Sequence, residues 1–179
     1  ILKHSELLDS IVDQAFREEL FKVDRQGFRP EYNGLQLINR EVIISYLHQL
    51  LEIDRRLTPF AIKALEQEVY TTVKFDSGNE QLSLKVGGFI DRMDYIDQQP
   101  DGERIRVIDY KTGNLPSKAT TTIEEIFEGK ELRAKHTDYF LQTILYSLIV
   151  KKSSEWNPEG LPVSPALLFI QHAKGENYD

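Results

Sequence analysis

Apolar positions at helical spacing open the chain. Leu8, Ile11, Val12, Ala15, Phe16 and Leu20 recur every three or four residues, which predicts an amphipathic helix over 5–22. Arg25-Gln26-Gly27-Phe28-Arg29-Pro30 and Asn33-Gly34 are rich in turn formers. Asn39 reads as the N-cap of a second helix running to about 57, with Val42, Ile43, Tyr46, Leu47, Leu50 and Leu51 as its inward stripe. Thr58-Pro59 ends that helix, and residues 60–65 fit either a short helix or an extended lead-in.

The period then changes from 3.6 to two. Strands are predicted over 68–75, 82–95 and 104–110, separated by Asp76-Ser77-Gly78-Asn79 and by Gln98-Gln99-Pro100-Asp101-Gly102. After a polar connection, 123–127 fits a short helix, and 137–151 a longer one with Phe140, Leu141, Ile144, Leu145 and Leu148 inward. A final strand is predicted over 166–171. Helices, a three-stranded meander, a helix and a last strand imply an α/β sandwich around a mixed sheet. The last strand is expected to cross one face and join beside the second or third. We expect one domain over 1–179, with a helical part at 1–58 and an αβ core at 59–179.

The second and third strands carry the chemistry. If Asp97 faces Glu103 across their loop, antiparallel pairing sets Asp91 opposite Asp109, and Lys111 shares the face of Asp109. Opposed Cβ atoms lie roughly 5 Å apart, so both carboxylates can reach one cation. Ile105 and Val107 share the face of Asp109, and Phe89 and Met93 that of Asp91, so these charges end an apolar stripe and need a partner or a metal. The blander reading makes the aspartates solvated strand residues with Lys111 as their salt-bridge partner. A one-residue slip would turn Asp91 to the other face.

Glu66 and Glu68 stand at the entry to the first strand, where one could be a third acid. Glu66 is favoured, because Leu65 and Val69 alternate poorly with it as a surface position; the plainer alternative is a surface charge. Gln142 and Tyr146 lie four apart on a predicted helix and can present an amide and a hydroxyl to a phosphate, although such a tyrosine is more often a core residue. Lys118, Lys130, Arg133, Lys135 and His136 form either a phosphate-guiding edge or a solvated charged loop. In Asp109-Tyr110-Lys111 the aspartate can bind a cation, the Tyr110 backbone carbonyl can add a ligand, and the lysine can reach the attacking water and the phosphate.

Composition narrows the choice. With 40% hydrophobic and 28% charged residues the chain reads as a soluble globular domain, and no apolar run approaches the ~20 residues of a membrane span. It contains no cysteine, which excludes disulfides, Cys-ligated zinc and Cys-bound iron–sulfur clusters. That fits a reducing compartment, and a cytoplasmic location is expected. His4, His48, His136 and His172 have no short ligand spacing, so oxygen-ligated Mg2+ or Mn2+ suits the carboxylates better than zinc. A net charge of −7 argues against a nucleic-acid binder, although metal-site carboxylates inflate the negative count. Because Ile1 already lies in a helical pattern, the chain is expected to be a piece of a longer protein.

Glu66, Gly88-Phe89-Ile90-Asp91-Arg92-Met93-Asp94, Ile108-Asp109-Tyr110-Lys111-Thr112-Gly113 and Gln142 with Tyr146 resemble the ordered motifs of the PD-(D/E)XK nuclease superfamily in its RecB-like branch. The likeness covers 66–171. It implies a restriction-endonuclease-like three-layer sandwich, a Mg2+ or Mn2+ site and hydrolysis of DNA phosphodiesters. By that likeness Asp91 and Asp109 would be metal ligands, Glu66 a further acidic ligand and Lys111 the catalytic lysine. Gln142 and Tyr146 would lie near the substrate strand. Similar modules occur with helicases in double-strand-break processing, so DNA and a helicase are the implied partners, and no membrane. Two departures stand out: relatives often have a histidine in the first helix, for which only His4 is near, and several close on a cysteine-bound cluster that this chain cannot form. A catalytically silent DNA-binding or scaffolding module of the same fold is the alternative, and a protein-interaction domain a third reading.

Overall fold

The computed structural model describes residues 5–23, 31–78, 80–98, 102–118, 122–127 and 132–173. It divides after Thr58 into two units. In the first, α1 (Ser5–Ala15) runs into a π-helical turn at Phe16–Leu20, closed by the Phe21 N–H donating to the Phe16 carbonyl at 3.0 Å. Leu8 and Val12 are buried, whereas Ile11 and Leu20 are exposed. The wider turn takes Leu20 off the α-helical face that the even spacing assumed.

Helix α2 spans Gly34–Leu57 and starts earlier than expected. Its N-cap is Asn33, not Asn39: the Asn33 side chain accepts from the Gln36 N–H and the Gln36 side chain accepts from the Asn33 N–H, both at 2.9 Å. This reciprocal pair is a capping box, and it satisfies donors that a helix start otherwise leaves open. Val42 and Ile43 are exposed and only Ile53 is fully buried, because the apolar residues of α2 occupy more than one side. Arg40 ties α2 to α1, donating to Asp13 at 2.6 Å and Asp9 at 2.9 Å. Its guanidinium holds Asp13 below the ordinary carboxylate value.

In the second unit β1 (Ala61–Ser77), β2 (Glu80–Gln98), β3 (Gly102–Lys111) and β4 (Val163–Phe169) form one sheet in the order β1-β2-β3-β4. The first three strands are antiparallel and β4 lies parallel to β3. The ambiguous segment 60–65 is mostly strand, because β2 is long enough to offer Ala61 a partner in Tyr95. Strand β4 begins before its predicted start and contains Pro165, which an edge strand tolerates. This mixed α/β sheet with helices before and within it is consistent with the restriction-endonuclease-like fold. No helix among the described residues is long and apolar enough to cross a membrane.

A short α3 (Leu132–Lys135) precedes α4 (Thr137–Lys152), which makes the crossover from β3 to β4 and packs against all four strands. Its inward face differs from the predicted one. Thr143, Tyr146, Ile149 and Val150 are buried, whereas Leu141 is 42% and Leu148 52% exposed. Apolar residues surround α4, so periodicity alone cannot choose the face that meets the sheet. The core it completes joins Val69, Ile90, Met93, Ile105 and Val107 to Tyr146, Ile149 and Val150. Strand β3 pairs with β2 only from Arg92 to Gln98, so β1 and β2 continue beyond it, from Thr71↔Val86 to Ser77↔Glu80, as a two-stranded ribbon.

The pleat puts Met93 and Val107 toward α4, and their neighbours Asp94 and Arg106 on the opposite face. There Asp94 accepts from Arg92 Nε at 2.7 Å and from Arg106 at 2.8 Å, with the Phe60 ring 4.8 Å from the Arg92 guanidinium. Asp94 is fully buried. Removing it would leave two largely buried cations without their carboxylate. Asp94→Ala is therefore expected to cost about 3–5 kcal/mol in urea denaturation. Breaking the exposed Arg55–Glu52 pair should leave the same denaturation curve nearly unmoved.

Candidate active site

At the end of the β2–β3 pairing the strands part after Arg92↔Ile108, and Asp91 turns its carboxylate onto the backbone of β3. Asp91 Oδ2 accepts from the Tyr110 N–H at 2.6 Å. The predicted register, with Asp97 across from Glu103, is the observed one. Asp91 and Asp109 are close enough that the Asp91 charge helps raise the Asp109 pKa. The larger cause is burial, which pushes Asp109 above its ordinary 3.8 against the opposing pull of Lys111.

Lys111 supplies the compensating charge. Its ammonium lies 2.6 Å from Asp109 Oδ2 and donates to Gln142 Oε1 at 3.1 Å. Gln142 Nε2 in turn donates to the Tyr146 hydroxyl at 3.3 Å. A polar chain thus runs from Asp109 through Lys111 and Gln142 to Tyr146, linking β3 to α4. The Tyr146 hydroxyl ends against Gly88, where any Cβ would stand 2.5 Å from it. Glycine is required there so that the hydroxyl can lie on the strand.

The acid at β1 does not complete a three-acid group with Asp91 and Asp109 among the described residues. Leu65 and Gln67 pair with Arg92 and Ile90, on either side of Asp91, so Glu66 occupies the facing position. Its φ is +48°, which breaks the regular pleat that the expectation of a third inward acid assumed. Glu68 is exposed and accepts from the Tyr70 hydroxyl at 2.8 Å. Among the described residues no three Asp, Glu or His side chains form a group able to hold a metal ion. The expected three-acid set is therefore a pair here, Asp91 and Asp109. Tyr110 meets Asp91 through its N–H, a contact the sequence reading did not anticipate for a residue singled out for its carbonyl.

The expected phosphate-guiding edge is also altered. Lys135 is paired with Glu125 at 2.8 Å, and His136 stacks on Tyr139 with ring centroids 4.7 Å apart. Lys130, the Arg133 side chain and His4 lie outside the described residues. Tyr139 and Gly88 were missed as site residues, yet each left a signal. Tyr139 lies three before Gln142 on one helix face, and Gly87-Gly88 inside a strand marks a close approach.

The sequence pattern of the PD-(D/E)XK nuclease superfamily matches residues 1–178. The chain belongs to this superfamily. No curated protein matches it significantly. Superfamily members generally use divalent metals, and the donor set here fits such an ion. Both donors are carboxylates, and Asp109 Oδ2 is buried with no hydrogen bond of normal angle, despite the ammonium beside it. Mg2+ is commonly held by only one or two carboxylates, with water and substrate phosphate completing its shell.

Truncating Lys111 in metal-free protein would leave the Asp109 carboxylate without its counter-charge and raise its pKa further. A raised carboxyl pKa stabilises fully below 3.8, and that stability is lost as pH rises through the folded-state value. Lys111→Met should therefore lose about 3 kcal/mol at pH 7 and nearly nothing close to pH 3.8, read from urea melts in EDTA.

Proposed function

We propose that this chain is a divalent-metal-dependent DNA nuclease domain that hydrolyses phosphodiester bonds. One observation carries the reading: Asp91 and Asp109 converge beside an ammonium that is itself tied to Gln142 and Tyr146. Asp91 and Asp109 would hold Mg2+ or Mn2+, with Glu66 as the further acid and the Tyr110 carbonyl as a backbone ligand. Held by these residues, such an ion would supply Lewis acidity toward a phosphoryl oxygen and toward water.

The chain's own groups divide the remaining work. The Tyr110 N–H fixes the Asp91 carboxylate so that it need not reorganise. Lys111 balances the negative charge that grows on the phosphate in the transition state. Gln142 and Tyr146 offer an amide and a hydroxyl to the substrate strand. No covalent intermediate is needed.

The motif order further supports a RecB-like exonuclease module in double-strand-break repair and recombination, working with a helicase in the cytoplasm. Among the described residues Glu66 completes no three-acid group with the aspartate pair, which favours one rival, a catalytically silent DNA-binding or scaffolding module of the same fold. Cleavage assays decide between them. Linear single- or double-stranded DNA should be cut only with Mg2+ or Mn2+ while circular forms resist, and Lys111→Ala should abolish cutting. Mn2+ at ~100 times its dissociation constant should add about 2.7 kcal/mol of stability. A metal-stabilised wild type that cuts no DNA would favour the silent module.

A further inference from the structure

The catalytic proposal leaves one difficulty, which is how Lys111 stays in place. A lysine has a flexible four-carbon stem, and its strongest tie is the ion pair with Asp109. A cation bound by Asp109 competes for that carboxylate. The ammonium would then rest on Gln142 and on whatever else surrounds it.

Among the described residues, Tyr139 also lies against it. Its ring centroid lies 4.5 Å from Lys111 Nζ, within the range of an attraction between a cation and an aromatic face. Tyr139 and Gln142 are three residues apart on α4, so one helix face presents both partners to the ammonium. The ring is itself held. His136 stacks against it nearly in parallel, 8° between planes, and Phe169 tilts against it at 6.2 Å. Phe169 is the β4 residue in register with Lys111, so the same alignment that sets the lysine also sets the support of its aromatic neighbour. His136 adopts a left-handed backbone, φ +46° and ψ +49°, at the N-cap of α4. That conformation is uncommon outside glycine, and its survival beside a functional group fits a residue held for what its side chain does.

We propose that Tyr139, backed by His136, is a positioning residue that keeps the Lys111 ammonium aimed at the site when Asp109 turns to its cation. The inference rests on the nuclease reading above. An aromatic face suits the task because it attracts the cation without offering a proton acceptor. The hydroxyl is dispensable, so phenylalanine should serve and an aliphatic side chain should not.

The test uses the full chain with Mn2+ and a DNA substrate that the wild type cuts. Tyr139→Leu should lower kcat about tenfold with KM within about twofold, and Tyr139→Phe should stay within about twofold of wild type in both. If the leucine variant does not fold, Tyr139→Met replaces it, having bulk without an aromatic face. Equal losses in the leucine and phenylalanine variants, no loss in leucine, or a loss confined to KM would each overturn the proposal. A second readout needs no activity. In a double-mutant cycle of Lys111→Met with Tyr139→Leu, followed by Tm in EDTA, the combined loss should fall short of the sum. Additive losses overturn the contact. A wild type that cuts nothing defeats the nuclease reading, while the Tm cycle still decides whether the ring holds the ammonium.

Discussion

The alignment of Met93 with Val107 in the β2–β3 ladder governs both faces of the sheet. Side chains alternate along β3, so this one match sends Ile105, Val107 and Asp109 toward α4, and it sets Asp94 and Arg106 together on the opposite side. A shift by one residue would exchange the two sets. Slipping β3 would bring Arg106 under α4 and turn Asp109 and Lys111 together away from Gln142 and Tyr146. Apolar burial opposes that exchange, because Met93, Ile105 and Val107 are completely enclosed. The position of the charged groups is therefore enforced by the packing of the uncharged ones.

The two faces treat buried charge differently. Asp94 sits between Arg92 and Arg106, its two oxygens each taken by one guanidinium. Asp109 has one ammonium beside it, a second carboxylate nearby and a pKa raised by burial. On the first face two guanidiniums outnumber one carboxylate; on the second two carboxylates outnumber one ammonium, an excess of acid that suits an added cation. Strand β2 feeds both: Asp91, Arg92 and Asp94 lie within four positions, so one strand segment carries reactive and structural charges on alternate sides.

Much of this was legible in the sequence wherever period two applied. The β2–β3 register and a last strand that crosses over to rejoin the sheet followed from alternation and loop placement, whereas the tie from Lys111 to Gln142 crosses from strand to helix and no periodicity announces it. The failures have local causes. Asn33-Gly34 reads as a turn, which hid a capping box completed by Gln36. Helix α4 is apolar on every side, so the face bearing Tyr146 and Val150 could not be told from the face bearing Leu141 and Leu148. Glu66 has a left-handed backbone that no strand pattern announces.

The β1–β2 ribbon extends past the point where β3 can brace it, and none of the buried core residues lies on its rungs from Thr71↔Val86 to Ser77↔Glu80. Its backbone pairs therefore have little packing to lock them. Isolated two-stranded ribbons are marginal in water, and native proteins open piecemeal where contacts are few. The outer rungs of the ribbon can open and re-zip while the charged cluster near Asp91 stays closed. Cooperativity in this unit thus has a spatial limit, set by the length of β3.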